Sequence, residues 1–190
     1  MNQSKNIFEV FYATQNRWAT KRNILLLIII YPVFPALLLP WVGDVGGAPI
    51  LDLHMFYDAD KVREVLIQYS DLAIQNYILC ALTVDMVYPF YYASLLSLCI
   101  AFCLKKRTQV DSKLQLMRLL PFLIMLVDWT ENLLLVTLMD QWPMLDLKLA
   151  NLASFATLSK WVLLSITIFF LLASLVIGLK QAKSEAMANS

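Results

Sequence analysis

The stretch at 155–179 decides the fold class, and it reads FATLSKWVLLSITIFFLLASLVIGL. Lys160 is its one charged residue, and the other residues are apolar or weakly polar. A helix of about 20 apolar residues is long enough to cross a hydrocarbon core of roughly 30 Å. This stretch therefore predicts a transmembrane helix.

Three further stretches, at 23–42, 75–104 and 114–139, meet the same criterion. Helices are expected because backbone N–H and C=O groups in hydrocarbon must bond within their own segment, and these stretches are too long for barrel strands. The predicted fold class is all-α: a polytopic membrane protein with a bundle of four transmembrane helices. The prolines at positions 32, 35 and 40 predict a bent first span.

The composition excludes several classes of function. With 60% hydrophobic and 15% charged residues, the chain lies outside the range of soluble domains. The net charge of +1, with basic residues in small clusters, argues against nucleic acid as a partner. The chain has one histidine, and its three cysteines lie in a single apolar stretch, so these residues form no zinc-binding pattern. Its four glycines form no nucleotide-binding loop. We therefore expect no metal and no cofactor.

Basic residues predict the orientation, because they gather before the first span, in the second connection and after the fourth span. These residues are Lys5, Arg17, Lys21, Arg22, Lys105, Lys106, Arg107, Lys113, Arg118, Lys180 and Lys183. The first and third connections are acidic or mixed. The positive-inside rule then places both termini in the cytoplasm. We expect a cell-membrane protein, of the inner membrane in a bacterium, with the lipid bilayer as its surroundings.

The chain divides into a membrane domain at 23–180, a cytoplasmic segment at 1–22 and a tail at 181–190 that we expect to be disordered. Apolar and aromatic residues in 1–22 recur at near-helical spacing, which indicates a helix on the cytoplasmic membrane surface; a frayed segment is the alternative.

A short amphipathic helix is expected in the first external connection. Four apolar residues there occupy positions i, i+3, i+4 and i+7, and an aspartate at 58 or 60 precedes them as a helix cap. The four are Val62, Val65, Leu66 and Tyr69. We expect this helix to cover the outer face of the bundle.

Charged residues within the spans are the candidate functional residues. They are Asp85 in the second span, Asp128 and Glu131 in the third, and Lys160 in the fourth. A charge at the bilayer centre costs about 2.5–3.5 kcal/mol, so such residues normally face the bundle interior and pair. Counting about 1.5 Å per residue from the basic clusters places all four in the outer half of the membrane.

Helical spacing places these charges on polar stripes that face one another, which predicts an outward-opening hydrated pocket. The predicted lining is Asp85, Tyr88, Tyr92, Asp128, Glu131, Asn132 and Lys160. Three carboxylates against one lysine favour a cationic ligand or a retained proton. The alternative is structural: Lys160 and one carboxylate form an ion pair that fixes the register of the helices, while Asp85 reaches headgroup water.

Two motifs carry a resemblance. The segments DMVYPFYY at 85–92 and DWTEN at 128–132 resemble those of a family of small, functionally uncharacterised four-span bacterial membrane proteins. The layout is also distantly similar to the EXPERA membrane domain, a four-helix bundle with acidic residues in a lipid or sterol cavity. No residue-for-residue match transfers a catalytic role.

Three functions fit these observations. The first is binding or transport of a cation, an amine or an amphiphile. The second is an accessory role, with polar stripes packed on a membrane protein partner or on copies of the chain. The third is an intramembrane enzyme for a lipid or isoprenoid, in which Glu131 donates a proton and Asp128 stabilises positive charge.

Overall fold

The structure is a computed structural model that describes residues 7–42, 51–105 and 112–188. Every regular element in these ranges is helical. The helices are α1 (Ile7–Trp18), α2 (Lys21–Ile30), α3 (Val33–Val42), α4 (Ala59–Leu66), α5 (Asp71–Leu82), α6 (Val84–Lys105), α7 (Ser112–Leu116), α8 (Leu120–Asp140) and α9 (Leu147–Ala188), with a 3₁₀ turn at Leu51–Leu53 before α4. The all-α class is confirmed for this part of the chain.

Three helical segments are long and apolar enough to cross a membrane: Asp71–Lys105, Lys113–Asp140 and Leu147–Ile177. A fourth crossing arises if the bent pair Ile7–Trp18 and Lys21–Leu37, which meet at 83°, is counted as one span. The membrane class is therefore supported by three helices, and the first predicted span, at 23–42, is the one that these criteria leave open.

The first predicted span is interrupted near its middle, where α2 ends at Ile30 and α3 begins at Val33. Pro32 and Pro35 lie at this break and lack the N–H groups that would continue the helical bonding. The carbonyl of Tyr31 instead accepts from Phe34 N at 3.3 Å, a three-residue turn. The bend expected from the prolines is thus a break between two helices.

The second predicted span, from about 75 to 104, lies within the helical segment Asp71–Lys105, which contains a break. Helix begins at Asp71, where the Ser70 hydroxyl caps α5, and it is interrupted at Thr83, whose φ and ψ of −122° and −87° are not helical. The Thr83 hydroxyl bonds to the Leu79 carbonyl at 2.5 Å, which competes with the regular backbone bond there. Only α6, after the break, runs unbroken to Lys105.

The third predicted span, 114–139, corresponds to the helical segment Lys113–Asp140, which consists of the short helix α7, a turn and α8 from Leu120. The fourth predicted span, from about 155 to 179, overlaps the segment Leu147–Ile177. Its helix, α9, begins at Leu147, because Asp146 accepts from Lys148 N at 2.8 Å and so caps the helix. A hydropathy criterion cannot find this start, since the first turns of α9 are less apolar than its centre.

Helix α9 continues to Ala188, so residues 181–188 of the tail expected to be disordered are helical. The sequence after Lys180 reads QAKSEAMA, which consists mainly of good helix formers, and it extends a helix that is already nucleated. Residues 189–190 lie outside the described residues, as do residues 1–6 of the N-terminal segment and the connections at 43–50 and 106–111 that were used to predict orientation.

Helix α4 is the short amphipathic helix predicted from the sequence. Asp58, one of the two expected caps, accepts from Lys61 N at 2.8 Å. The side chains of Val62, Val65 and Leu66 are fully buried. They pack with Leu135, Leu138 and Met139 of α8 and Ala150 and Ala153 of α9. Helix α4 therefore closes the end of the bundle at which α8 ends and α9 begins.

Candidate functional site

Three of the predicted charges form one buried cluster between α8 and α9. Lys160 Nζ lies 2.5 Å from Glu131 Oε2 and 3.2 Å from Asp128 Oδ1. Glu131 is fully buried, and the side chains of Lys160 and Asp128 are 13% and 8% exposed. One ammonium group is thus shared by two carboxylates, and Glu131 is the nearer of the two.

The other carboxylate oxygen of Glu131 connects the cluster to the segment before α4. Thr157 donates its hydroxyl proton to Glu131 Oε1 at 2.6 Å. Because that single proton serves the carboxylate, Tyr57, whose hydroxyl lies 3.0 Å from Thr157 Oγ1, is the donor in the next bond. Tyr57 N in turn donates to Ser154 Oγ at 3.0 Å. The α4 region and the buried glutamate are therefore joined through α9.

On the opposite side the cluster reaches α6. Tyr92 donates its hydroxyl to Asp128 Oδ2 at 2.7 Å, so both oxygens of that carboxylate are engaged. The ring of Tyr88 contacts the ring of Tyr92 with centroids 5.4 Å apart, and its hydroxyl is hydrogen-bonded to that of Tyr31 in the turn after α2. Aromatic side chains thus connect the charged cluster to the first span.

The two motifs at 85–92 and 128–132 pack against each other, and Pro89 explains one of their contacts. Proline has no N–H, so the carbonyl of Asp85, four residues earlier, lacks its helical donor. Asn132 Nδ2 donates to that carbonyl at 3.1 Å. Trp129 Nε1 likewise donates to the carbonyl of Met86 at 2.9 Å. Side chains of α8 therefore bond the backbone of α6 where the proline weakens the helix.

A cavity of about 580 Å³ lies beside the cluster, with walls from four helices and the 3₁₀ turn. Its lining comprises Ile28, Tyr31, Leu53, Asp85, Tyr88, Tyr92, Leu95, Leu96, Ile124, Asp128, Lys160, Trp161, Leu164 and Ile168. Asp85 and Lys160 lie nearer to the α4 end of their helices, and Asp128 lies near the middle of α8. The aliphatic residues Leu96, Ile124 and Ile168 lie one to three turns further from α4. The cavity therefore has a polar end and an apolar end.

The length of the apolar end follows from the rise per residue of an α-helix. From Lys160 to Ile168 there are eight residues along α9, or about 12 Å at 1.5 Å per residue. The helix α2 packs mainly on α6, whereas α9 packs mainly on α8, α6 and α4. The cavity is thus lined from both sides by helices that are not each other's main packing partners.

The structure brings the predicted site residues together but divides them between the cavity wall and the layer behind it. Asp85, Tyr88, Tyr92, Asp128 and Lys160 line the cavity. Glu131 and Asn132 do not line it; they are buried behind its wall, where one pairs with the lysine and the other bonds the α6 backbone. Two residues of the predicted pocket therefore lie outside the lining of this cavity.

Sequence reasoning missed several participants. Tyr57, Ser154 and Thr157, which connect Glu131 to the segment before α4, are not among the predicted residues. Trp161 lines the cavity, and its indole N–H is buried without an acceptor among the described residues. Leu164 and Ile168 follow Lys160 at i+4 and i+8, so helical spacing alone would have identified them as neighbours on the same face.

Comparison of the chain with protein-family models, with curated proteins and with solved structures gives no match. The family resemblance suggested by the motifs at 85–92 and 128–132 therefore stays a prediction. What the structure adds is a physical role for those motifs: they hold α6 and α8 together beside the cavity.

Proposed function

We propose that the chain crosses the membrane four times, with α2 and α3 together as the first crossing and α1 along the cytoplasmic surface. The 83° angle between α1 and the following helix supports this arrangement, since a helix perpendicular to a span lies in the membrane plane. The distribution of basic residues supports cytoplasmic termini and an external α4. A bacterial inner membrane is the membrane we propose.

We infer that the protein binds an amphiphile with a cationic head group in the cavity between α2, α6, α8 and α9. The observation that carries this proposal is the division of the cavity into a polar end, with Asp85 and Asp128, and an aliphatic end. Ligand sites commonly measure about 300–1,000 Å³ and combine apolar walls with a few polar groups. A cavity of about 580 Å³ lies within that range.

The charges at the polar end favour a cation. Two carboxylates, those of Asp85 and Asp128, and one ammonium group, that of Lys160, line this end of the cavity. Lys160 lies nearer to Glu131, at 2.5 Å, than to Asp128, at 3.2 Å. A ligand ammonium group can therefore take the place of Lys160 at Asp128 while Lys160 keeps its buried partner.

Aromatic side chains at the same end support this choice. Tyr31, Tyr88, Tyr92 and Trp161 all line the cavity, and the faces of such rings attract cations by about 0.5–2 kcal/mol each. An elongated apolar tail would then extend about 12 Å towards Ile168. Entry from the lipid between α2 and α9 would let such a molecule reach the site without leaving the membrane.

The enzyme hypothesis receives less support. A general acid must reach the substrate, whereas Glu131 is fully buried behind the wall and shares its charge with Lys160 and its other oxygen with Thr157. Binding or transport is therefore the function we propose, and a transport role would need a second conformation that opens elsewhere.

The test is thermal unfolding of the purified chain in an uncharged detergent with decylamine, decanol or decanoate added. Decylamine is cationic at neutral pH and should raise the unfolding temperature, whereas the two matched molecules should not. Saturation at about 100 times Kd would add roughly 2.7 kcal/mol. The variant Leu164→Trp, which fills the apolar end, and Asp85→Asn, which removes one charge, should each reduce the decylamine effect.

Asp140→Asn is the matched control, because this exposed carboxylate lies at the end of α8, away from the cavity lining. Its decylamine effect should equal that of the unaltered chain. Equal stabilisation by decylamine and decanoate would rule out a cation-selective site. An unaltered decylamine effect in both Leu164→Trp and Asp85→Asn would rule out this cavity as the binding site.

A further inference from the structure

The corner between α1 and α2 contains a second pocket, at the opposite end of the molecule from α4. Its volume is about 400 Å³, and it is lined by Arg17, Trp18, Thr20, Arg22 and Asn23. Both arginine side chains are exposed, and Trp18 is also exposed. This pocket shares no lining residue with the cavity described above.

Hydrogen bonds fix the shape of this corner. Thr20 Oγ1 accepts from Asn23 N at 3.2 Å and so caps α2. Asn23 Nδ2 donates back to the carbonyl of Trp18 at 3.0 Å, and Thr20 N donates to the same carbonyl at 2.8 Å. Two of these bonds join the start of α2 to the end of α1 across the bend, so the fold holds the 83° angle and the pocket within it.

Two further cations bond Asn16, the residue that precedes Arg17. Besides Arg17 and Arg22, Lys105 Nζ donates to the carbonyl of Asn16 at 3.1 Å, and Arg118 donates to the side-chain oxygen of Asn16 at 3.0 Å. Within residues 7–42, 51–105 and 112–188, none of these four forms an ion pair. A bound anion stabilises a cluster of cations that form no ion pair, and the stabilisation is greatest for a cation that is buried.

Of these four cations, Arg118 is the one for which the lack of an ion pair matters most. It is 1% exposed, its guanidinium lies 5.5 Å from the centre of the Tyr12 ring, and its Nε has no acceptor among the described residues. The sequence had suggested a basic residue at the membrane surface, whereas the structure buries it under α1. Negative charge bound at the neighbouring pocket would offset part of the cost of burying this guanidinium.

We propose that the corner binds the phosphate of an anionic phospholipid in the leaflet that faces α1. An arginine guanidinium group can donate two parallel hydrogen bonds to the oxygens of a phosphate. The N-terminus of α2 adds the positive end of the helix dipole. A lipid is favoured over a soluble phosphate because Trp18 and the exposed apolar residues Ile7 and Phe8 lie on the same helix, at headgroup depth in the four-span arrangement proposed above.

The experiment uses the full chain in uncharged detergent and follows thermal unfolding. Phosphatidylglycerol, phosphatidylcholine and inorganic phosphate are added separately at equal phosphate concentration. Phosphatidylglycerol should raise the unfolding temperature by several degrees, and the other two should have no comparable effect. The double variant Arg17→Gln/Arg22→Gln should lose at least half of that shift. The double variant Arg63→Gln/Lys148→Gln, which removes two exposed cations at the α4 end, should retain it.

A second pair of substitutions keeps the test decisive if the glutamine variant does not fold. Arg17→Lys/Arg22→Lys preserves the charge but removes the paired donors, and it should also bind phosphatidylglycerol more weakly. An equal effect of inorganic phosphate would show an anion site rather than a lipid site. An equal effect of phosphatidylcholine, or a full shift in every arginine variant, would overturn the proposal. None of these results alters the decylamine test of the other cavity.

Discussion

Replacing Lys160 with methionine should be among the most destabilising single changes in the protein. Methionine has nearly the same length and volume, so the substitution removes the charge with little change in packing. It leaves Glu131, which is fully buried, and Asp128, which is 8% exposed, without their shared cation. Removing one partner of a buried ion pair costs about 3–5 kcal/mol, and we expect the free energy of unfolding to fall by that amount.

The double variant Lys160→Met/Glu131→Gln distinguishes charge from packing. Glutamine keeps an oxygen that Thr157 can bond but carries no charge, so the second substitution removes the buried uncompensated carboxylate. The double variant should therefore be more stable than Lys160→Met alone by at least about 1 kcal/mol, within the range of 0.5–3 kcal/mol measured for contacting residues. Asp128→Asn should rescue Lys160→Met less well, because this carboxylate is farther from the lysine and also bonds Tyr92.

The free energies are to be measured by titrating the protein from mild detergent into a denaturing one and following helix content. Lys61→Met is the matched control, because Lys61 and Glu64 lie 3.0 Å apart with side chains 32% and 63% exposed. Exposed pairs contribute little, so this change should stay within about 0.5 kcal/mol. If Lys160→Met cost no more than the control, or if its effect and that of Glu131→Gln simply added, the inferred buried charge coupling would be wrong.

Three further changes test individual contacts by the same titration. Thr157→Val removes the hydroxyl between Tyr57 and the buried glutamate and should cost about 1–3 kcal/mol, whereas Thr130→Val, which loses only a bond within its own helix, should cost less than 1 kcal/mol. Asn132→Leu should cost about 1–3 kcal/mol by leaving a buried carbonyl unbonded, and Pro89→Ala in the same chain should recover part of this by restoring the helical donor. Leu66→Ala should cost about 2–5 kcal/mol because the side chain is fully buried, and a loss below 1 kcal/mol would mean that α4 does not pack on the bundle as described.

Hydropathy and charge were enough to predict the helical class and to predict which charged residues meet between the helices. This is because hydrocarbon imposes strong and simple constraints on backbone polar groups and on charges. Lys160, Asp128 and Glu131 are together for the reason given from the sequence: isolated charges are costly in the bundle. The short helix α4 was also predictable, since its apolar spacing and its Asp58 cap are local properties.

Helix ends were predicted less well, because they depend on caps and breaks rather than on mean hydropathy. Asp146 starts α9 eight residues before the apolar stretch begins, and Thr83 interrupts a segment that hydropathy reads as continuous. The burial of Arg118 beneath α1 depends on a tertiary contact with Asn16, and no local pattern contains that information.

The division between cavity wall and buried layer could not have been read from spacing either. Asp128 and Glu131 are three residues apart on one helix and therefore share a face, yet Asp128 lines the cavity and Glu131 does not. The difference arises because α9 covers that face unevenly, with Thr157 and Lys160 over the glutamate. Helical spacing shows in which direction a side chain points from the helix axis. It does not show which neighbouring helix covers that side chain.

The cavity itself weighs against a purely structural explanation of the charges. An ion pair that only fixes helix register does not require an open cavity beside it that is lined by both charged and aliphatic side chains. A bulk lipid chain could fill the aliphatic end near Ile168, but it offers no group that would interact with the charged side chains at the polar end. A molecule with a cationic head and an apolar tail satisfies both ends at once. The charge of the head group is therefore the property that distinguishes a specific ligand from surrounding lipid.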